Sequence, residues 1–169
     1  MIYYITGGER SGKSRYAQGL AEQLSEFPYY LATSRIWDDD FKKRVERHLS
    51  DRDERWTTIE EEKFLSEVDI ESKTVVMDCV TLWLTNWYAD SKNNVESCLE
   101  SCKNELEMIF KNAVNAHLII ISNEIGMGIH AQTEVGRKFT ELQGWINQFI
   151  AKNADKATFM VSGLPIQLK

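Results

Sequence analysis

The chain has 169 residues, of which 43% are hydrophobic and 27% charged, with a formal net charge of −6. That length suits one domain, 1–169, able to bury about two thirds of its unfolded surface. The modest acidic balance disfavours nucleic acid or an anionic membrane as a general partner, although a local basic patch remains able to hold phosphates. Two prolines and nine glycines argue against long disordered stretches. No apolar run approaches the ~20 residues of a membrane span. The opening MIYYITGG has no basic n-region, apolar core or small-residue cleavage site, so a cytoplasmic location is expected.

In chain order, Ile2 to Thr6 is a short apolar run ending in glycines, and Lys13 to Leu24 follows with Tyr16, Leu20 and Leu24 at helical spacing. This predicts strand, turn and helix. Tyr29 to Ala32 reads as a second strand, followed by Asp38 to Asp40 capping a charged segment with Phe41, Val45 and Leu49 at helical intervals. Thr74 to Met77 and Leu118 to Ile121 are β-branched runs of the kind buried on both sheet faces, and Phe159 to Val161 makes another strand. Helices are predicted near Val95 to Ala113 and Glu134 to Ala154. The alternation predicts an α/β, three-layer domain with a mainly parallel sheet and helices on both faces. Three cysteines are an odd number for a disulfide framework, and Cys98 and Cys102, though on one helix face, lack the partners of a zinc site. Reduced thiols are expected.

The strongest local signal is Gly7-Gly8-Glu9-Arg10-Ser11-Gly12-Lys13-Ser14, a full match to G-x-x-x-x-G-K-[ST] lying between a strand and a helix. There, backbone N–H groups and a helix N-terminus face the β-phosphate, Lys13 reaches the β and γ oxygens, and Ser14 is a Mg²⁺ ligand. The bland alternative is a glycine turn that binds nothing. A P-loop enzyme also needs a carboxylate near the metal. Asp78, after Val75-Val76-Met77, is the candidate metal-side acid, and Glu124, after Ile119 to Asn123, is a second candidate at the site. Either could instead be a strand-end cap.

Arg44-Val45-Glu46-Arg47-His48-Leu49-Ser50-Asp51-Arg52 places Arg44, His48 and Arg52 four residues apart if helical, so two guanidinium groups flank one imidazole. Positive neighbours favour the neutral, nucleophilic imidazole and hold anionic phosphate. The competing reading is a solvated face whose arginines pair with Asp40, Asp51 or Glu54, and spacing alone favours it.

The residues resemble, in order and nearly end to end, the bifunctional adenosylcobinamide kinase and adenosylcobinamide-phosphate guanylyltransferase family of cobalamin biosynthesis. The likeness runs through Thr6 to Arg15, Ala32-Thr33-Ser34, Arg44 with His48 and Arg52, Trp56 and Glu60, then Asp78 with Thr81 and Asn86. It continues through Asn123-Glu124-Ile125-Gly126-Met127-Gly128, Gly144 with Asn147-Gln148, and Val161-Ser162-Gly163.

The resemblance implies a P-loop NTPase-like transferase domain carrying out two reactions. Adenosylcobinamide is phosphorylated on its aminopropanol hydroxyl with ATP or GTP. GMP then moves from GTP onto adenosylcobinamide phosphate, with release of pyrophosphate, through a guanylyl-histidine at the position of His48. By the same mapping Lys13 and Asp78 join His48 as catalytic residues, with Ser14 and Asp78 for Mg²⁺. Gly7 to Ser14, Ala32, Thr33, Ser34, Leu49, Ser50, Asp51, Arg52 and Glu60 contact the nucleotide. Glu60 is the guanine candidate, since a carboxylate accepts from both N1–H and the 2-amino group. The family also implies a homotrimer, with the apolar Leu82-Trp83-Leu84 segment as a candidate interface.

The family often carries proline after its Gly-Met-Gly turn, whereas this chain reads Gly128-Ile129-His130-Ala131. His130 is a rival nucleophile in principle but lacks neighbouring cations, and His117 opens an apolar strand as a structural residue. Trp83, Trp87 and Trp145 read as core or subunit contacts before a corrinoid platform. A monofunctional P-loop kinase would leave His48 without a task. A non-enzymatic GTP switch of the common type should carry Asn-Lys-x-Asp, which Asn123-Glu124-Ile125-Gly126 does not supply.

Overall fold

The apolar runs become strands that bury alternate residues on opposite faces of one sheet, as the two-residue period of an extended chain requires. The computed structural model describes residues 1–35 and 52–169. The strands are β1 (Ile2–Gly7), β2 (Tyr29–Ala32), β3 (Thr57–Glu60), β4 (Thr74–Asp78), β5 (His117–Ile121), β6 (Lys156–Val161) and β7 (Leu164–Gln167). The helices among the described residues are α1 (Lys13–Leu24), α2 (Val80–Asp90), α3 (Val95–Asn112) and α4 (Glu134–Asn153). The sheet order is β3-β2-β4-β5-β1-β6-β7. Every pairing is parallel except β6 with β7.

One sheet face carries Tyr3, Ile5, Tyr30, Val76, Ile119 and Ile121 against Ala17 and Ala21 of α1. The other carries Tyr4, Leu31, Val75, Met77, Leu118 and Ile120 against side chains of α2, α3 and α4, including Trp83, Cys102, Leu106 and Ile146. Helices therefore cover both faces, and the α/β three-layer arrangement read from the sequence is the one observed. Asn94 caps α3 by accepting from the Ser97 amide at 3.0 Å, and Thr133 caps α4 by accepting from the Gly136 amide at 3.1 Å.

Four elements are additional to those read from the sequence: β3, α2, β7 and a short 3₁₀ helix at Leu65–Glu67. Thr57-Thr58-Ile59-Glu60 is a mostly exposed edge strand with little apolar signal. The α2 stretch is apolar nearly all round, the pattern of a buried helix rather than of a surface one. This corrects the expectation that Leu82-Trp83-Leu84 forms a subunit interface. Trp83 and Leu84 are fully buried inside the subunit, and Leu82 packs against the α1-side core. Trp83 Nε1 is satisfied internally, donating to the Lys63 carbonyl at 2.9 Å. Cys79, Cys98 and Cys102 are buried free thiols. No helix among the described residues is long and apolar enough to cross a membrane.

Candidate active site

The P-loop owes its shape to two glycines. Gly7 ends β1 with φ 152°, where a Cβ would lie 2.5 Å from the Met160 carbonyl oxygen of β6. Gly12 holds the left-handed φ of 95° at the N-cap of α1 and makes no side-chain cap bond, so the first amides of the helix stay open to an anion. The β6–β7 turn braces the loop from outside. Ser162 and Gly163 have φ of 51° and 82°, as a tight two-residue hairpin demands, and the Gly163 amide donates to the Ser11 carbonyl at 3.0 Å.

Lys13 is 7% exposed and folds back over the loop, donating from Nζ to the Gly7 carbonyl at 3.0 Å and the Gly8 carbonyl at 2.6 Å. Burial lowers its pKa from the ordinary lysine value, opposed by the nearby Cys79, Asp78 and Glu9. An incoming phosphate would replace two carbonyl dipoles with full negative charge, which favours the ammonium form and re-aims the side chain.

At the adjoining end of β4, Asp78 Oδ2 accepts from Ser14 Oγ at 3.0 Å and from Tyr30 Oη at 3.0 Å. A β4 carboxylate and the P-loop hydroxyl thus meet although β5 lies between their strands. Burial first, then the Asp78 charge, raises the Tyr30 pKa, so the phenol stays a donor. Arg52 lays its guanidinium carbon 3.5 Å from the Tyr30 ring centroid. Its Nε and Nη1 are buried without a hydrogen-bond partner among the described residues, leaving two donors suited to phosphate oxygens. Burial, with Asp78 second, pushes the neighbouring Cys79 thiol up to about 12, which makes it inert.

The other nucleotide candidates line the same carboxyl edge. Ala32 is in register with Asp78 on one side and Glu60 on the other, which sets the exposed Glu60 at the far edge from the P-loop. Thr33 is fully buried, donating from Oγ1 to the Cys79 carbonyl at 2.8 Å, and its own carbonyl accepts from Asn86 Nδ2 at 2.9 Å. Just beyond, Arg35 pairs with Glu62 and Asp90, at 2.8 and 3.1 Å. His48 with Arg44, Leu49, Ser50 and Asp51 lie outside the described residues. Glu124 follows β5, the strand between β4 and β1, its amide donating to the Gly7 carbonyl at 3.0 Å. His130 is exposed, and His117 opens β5 with Nδ1 3.3 Å from Tyr3 Oη.

Sequence reasoning missed Tyr30, whose hydroxyl orients Asp78. Its place in an apolar run concealed it; a buried tyrosine needing a partner for its hydroxyl was the available signal.

Asp78 and Ser14 present hard oxygen donors of the kind Mg²⁺ takes, and among the described residues no group of three His, Cys, Asp or Glu could form an all-protein cage.

A mainly parallel sheet, a full P-loop on its first strand and a carboxylate hydrogen-bonded to the loop serine define a P-loop nucleotide-binding protein. The sequence model of the family described as cobinamide kinase / cobinamide phosphate guanyltransferase matches residues 3–168, and the chain belongs to that family. It is 32% identical to the bifunctional adenosylcobalamin biosynthesis protein CobU of Escherichia coli K12, across 100% of both chains. It is 34% identical to the bifunctional adenosylcobalamin biosynthesis protein CobP of Pseudomonas aeruginosa, over 98% of this chain and 95% of that one. A solved structure, flagellar accessory protein FlaH from Methanocaldococcus jannaschii, is similar over 99% of this chain and 77% of its own, with TM-score 0.49 and 15% identity.

Proposed function

We propose that this chain phosphorylates the hydroxyl of adenosylcobinamide and then transfers GMP from GTP to the resulting phosphate, releasing pyrophosphate and giving adenosylcobinamide-GDP. Family membership over residues 3–168 supports the pair of activities, and the Lys13, Ser14 and Asp78 arrangement carries the phosphoryl chemistry. P-loop amides and Lys13 hold the β and γ phosphates of ATP or GTP. Ser14 and Asp78 would hold Mg²⁺, which would neutralise charge on the phosphate oxygens. Arg52, with two unmet donors, binds the phosphate next to them.

His48 is the proposed nucleophile of the second reaction. Its imidazole nitrogen forms an N–P bond to the α-phosphorus of GTP as the bond to the α–β bridging oxygen breaks and pyrophosphate leaves with that electron pair. An oxygen of the corrinoid phosphate then attacks the same phosphorus and the N–P bond breaks, returning neutral imidazole. Two in-line displacements replace one between two anions. Ala32, Thr33, Ser34, Leu49, Ser50 and Asp51 line the nucleotide, and Glu60 accepts from guanine.

The protein acts in the cytoplasm as a homotrimer on this reading. Leu164, Ile166 and Leu168 support self-association: they are 69%, 50% and 61% exposed on or beside the outer strand β7, an uncovered apolar edge. Retention of α-label but not γ-label from GTP by the protein alone tests the transferase reading.

A further inference from the structure

Two carboxylates stand at the carboxyl edge of the sheet beside the P-loop, and each accepts its hydrogen bonds from the described residues on one oxygen alone. Asp78 faces the α1 side, engaged by Ser14 and Tyr30. Glu124 lies on the α4 side, where β5 emerges between β4 and β1. Its amide is fastened to the Gly7 carbonyl at 3.0 Å, so it cannot drift from the loop that holds the phosphates. The preceding residue is fixed as well: Asn123 donates from Nδ2 to Thr81 Oγ1 at 3.1 Å and accepts at its carbonyl from Asn147 Nδ2 at 3.1 Å. Glu124 Oε1 accepts from the Gly126 amide at 3.1 Å, while Oε2 has no hydrogen-bond partner among the described residues. The loop leading away presents Met127 and Ile129, 75% and 97% exposed, an apolar border beside the carboxylate.

We propose that Glu124 is the catalytic base of the kinase step alone, taking the proton of the acceptor hydroxyl through Oε2. This rests on the kinase reading above. The hydroxyl oxygen forms a bond to the γ-phosphorus while its proton passes to Glu124; the bond from that phosphorus to the β–γ bridging oxygen breaks, and the nucleoside diphosphate leaves with the electron pair. Glu124 then returns the proton to water.

The two halves of the chemistry differ in their need for such a group. An alcohol is a poor nucleophile until its proton is removed, and a positioned base contributes on the order of 10² to 10⁴ in rate. Neutral imidazole attacks phosphorus without losing a proton first, and a phosphate monoester is already an anion, its second pKa near ~6. Guanylylation and its onward transfer need no base at Glu124.

The test is Glu124→Gln, which keeps the oxygen that accepts from Gly126 and removes the basic one, with Glu124→Asp as the charge-preserving control. Four quantities are measured: phosphorylation of adenosylcobinamide, retention of α-labelled GTP, GMP transfer to prepared adenosylcobinamide phosphate, and melting temperature. A kinase loss of about 100-fold or more in Glu124→Gln is expected, with both guanylyl steps within about threefold of the parent and part of the kinase rate recovered in Glu124→Asp. A kinase rate within about threefold of the parent overturns the inference, and so does an equal loss in all three reactions, which would mark Glu124 as a loop anchor. Absence of kinase activity in the parent protein would overturn the kinase reading itself, a result distinguishable from both.

Discussion

Tyr30 donates its phenolic hydrogen to Asp78 Oδ2 at 3.0 Å, the same oxygen that Ser14 reaches from the P-loop. The bond ties β2 to the end of β4, and the Arg52 guanidinium lies over the ring of the same tyrosine. Tyr30→Phe keeps the ring and removes the donor to a charged group, a change that costs about 1.5–3 kcal/mol in stability. Urea denaturation of the two proteins checks the size. An unchanged midpoint would mean that the hydroxyl does not hold Asp78.

The same tyrosine sets an alkaline limit. Burial and the Asp78 charge raise the Tyr30 pKa above 10.0, and burial first, with the Glu124 charge contributing, pushes Tyr4 up to about 12. Each group holds its proton more tightly folded than unfolded. Its contribution is therefore complete below pH 10 and is lost as pH rises above that value, at about 1.4 kcal/mol per pH unit per tyrosine. Melting temperature against pH should fall beyond pH 10, and less steeply in Tyr30→Phe. Parallel curves for the two proteins would count against this assignment.

The acid side depends on a different pair. Hydrogen bonds from Arg35 and Lys63 hold Asp90 down to about 2, against an ordinary 3.8. A depressed carboxylate stabilises the fold above its unfolded pKa and loses that contribution as pH falls from about 4 towards 2. Asp90 is substantially exposed, so the effect is small and weakened by salt. Asp90→Asn should flatten the melting curve in that window at low ionic strength, and a parent curve already flat there would contradict it.

Much of this architecture was legible because its signals are local. The P-loop and the apolar runs of β1, β4 and β5 declare themselves through residue type and period alone. The element ends moved by a residue or so: β1 reaches Gly7, and β4 reaches Asp78. β3 was hidden because an exposed edge strand has no buried face to impose a pattern, and α2 because a helix apolar on all sides lacks a stripe. Reading Leu82-Trp83-Leu84 as a surface patch followed from that same lack. The bonds joining Tyr30 and Ser14 to Asp78 span 48 and 64 residues, distances over which no local pattern operates.

Lys13→Ala should abolish both proposed activities. It removes the cation from the β and γ phosphates, a loss of roughly 10² to 10³ in rate. Steady-state assays of each reaction check this, and near-parent turnover in either would contradict it. Gly7→Ala acts differently, through a Cβ 2.5 Å from the Met160 carbonyl oxygen. It should cost on the order of 1–3 kcal/mol and weaken nucleotide binding as the loop shifts.

The trimer is checked by light scattering at micromolar concentration. A mass three times that of the chain is expected, and Ile166→Lys on β7 should lower it. A monomer in the parent protein would contradict the proposal.

Covalent guanylylation of His48 tests the transferase reading most directly. After incubation with GTP and Mg²⁺ and no acceptor, the protein should gain the mass of one GMP at His48. It should retain α-label but no γ-label, because pyrophosphate departs. The label should be lost in acid, where protonation on nitrogen makes imidazole a good leaving group, and survive in base. His48→Asn should take no label while still phosphorylating adenosylcobinamide. Full labelling of His48→Asn, above all if it disappeared in His130→Asn, would contradict a guanylyl-His48 intermediate and move the nucleophile to the glycine-rich loop.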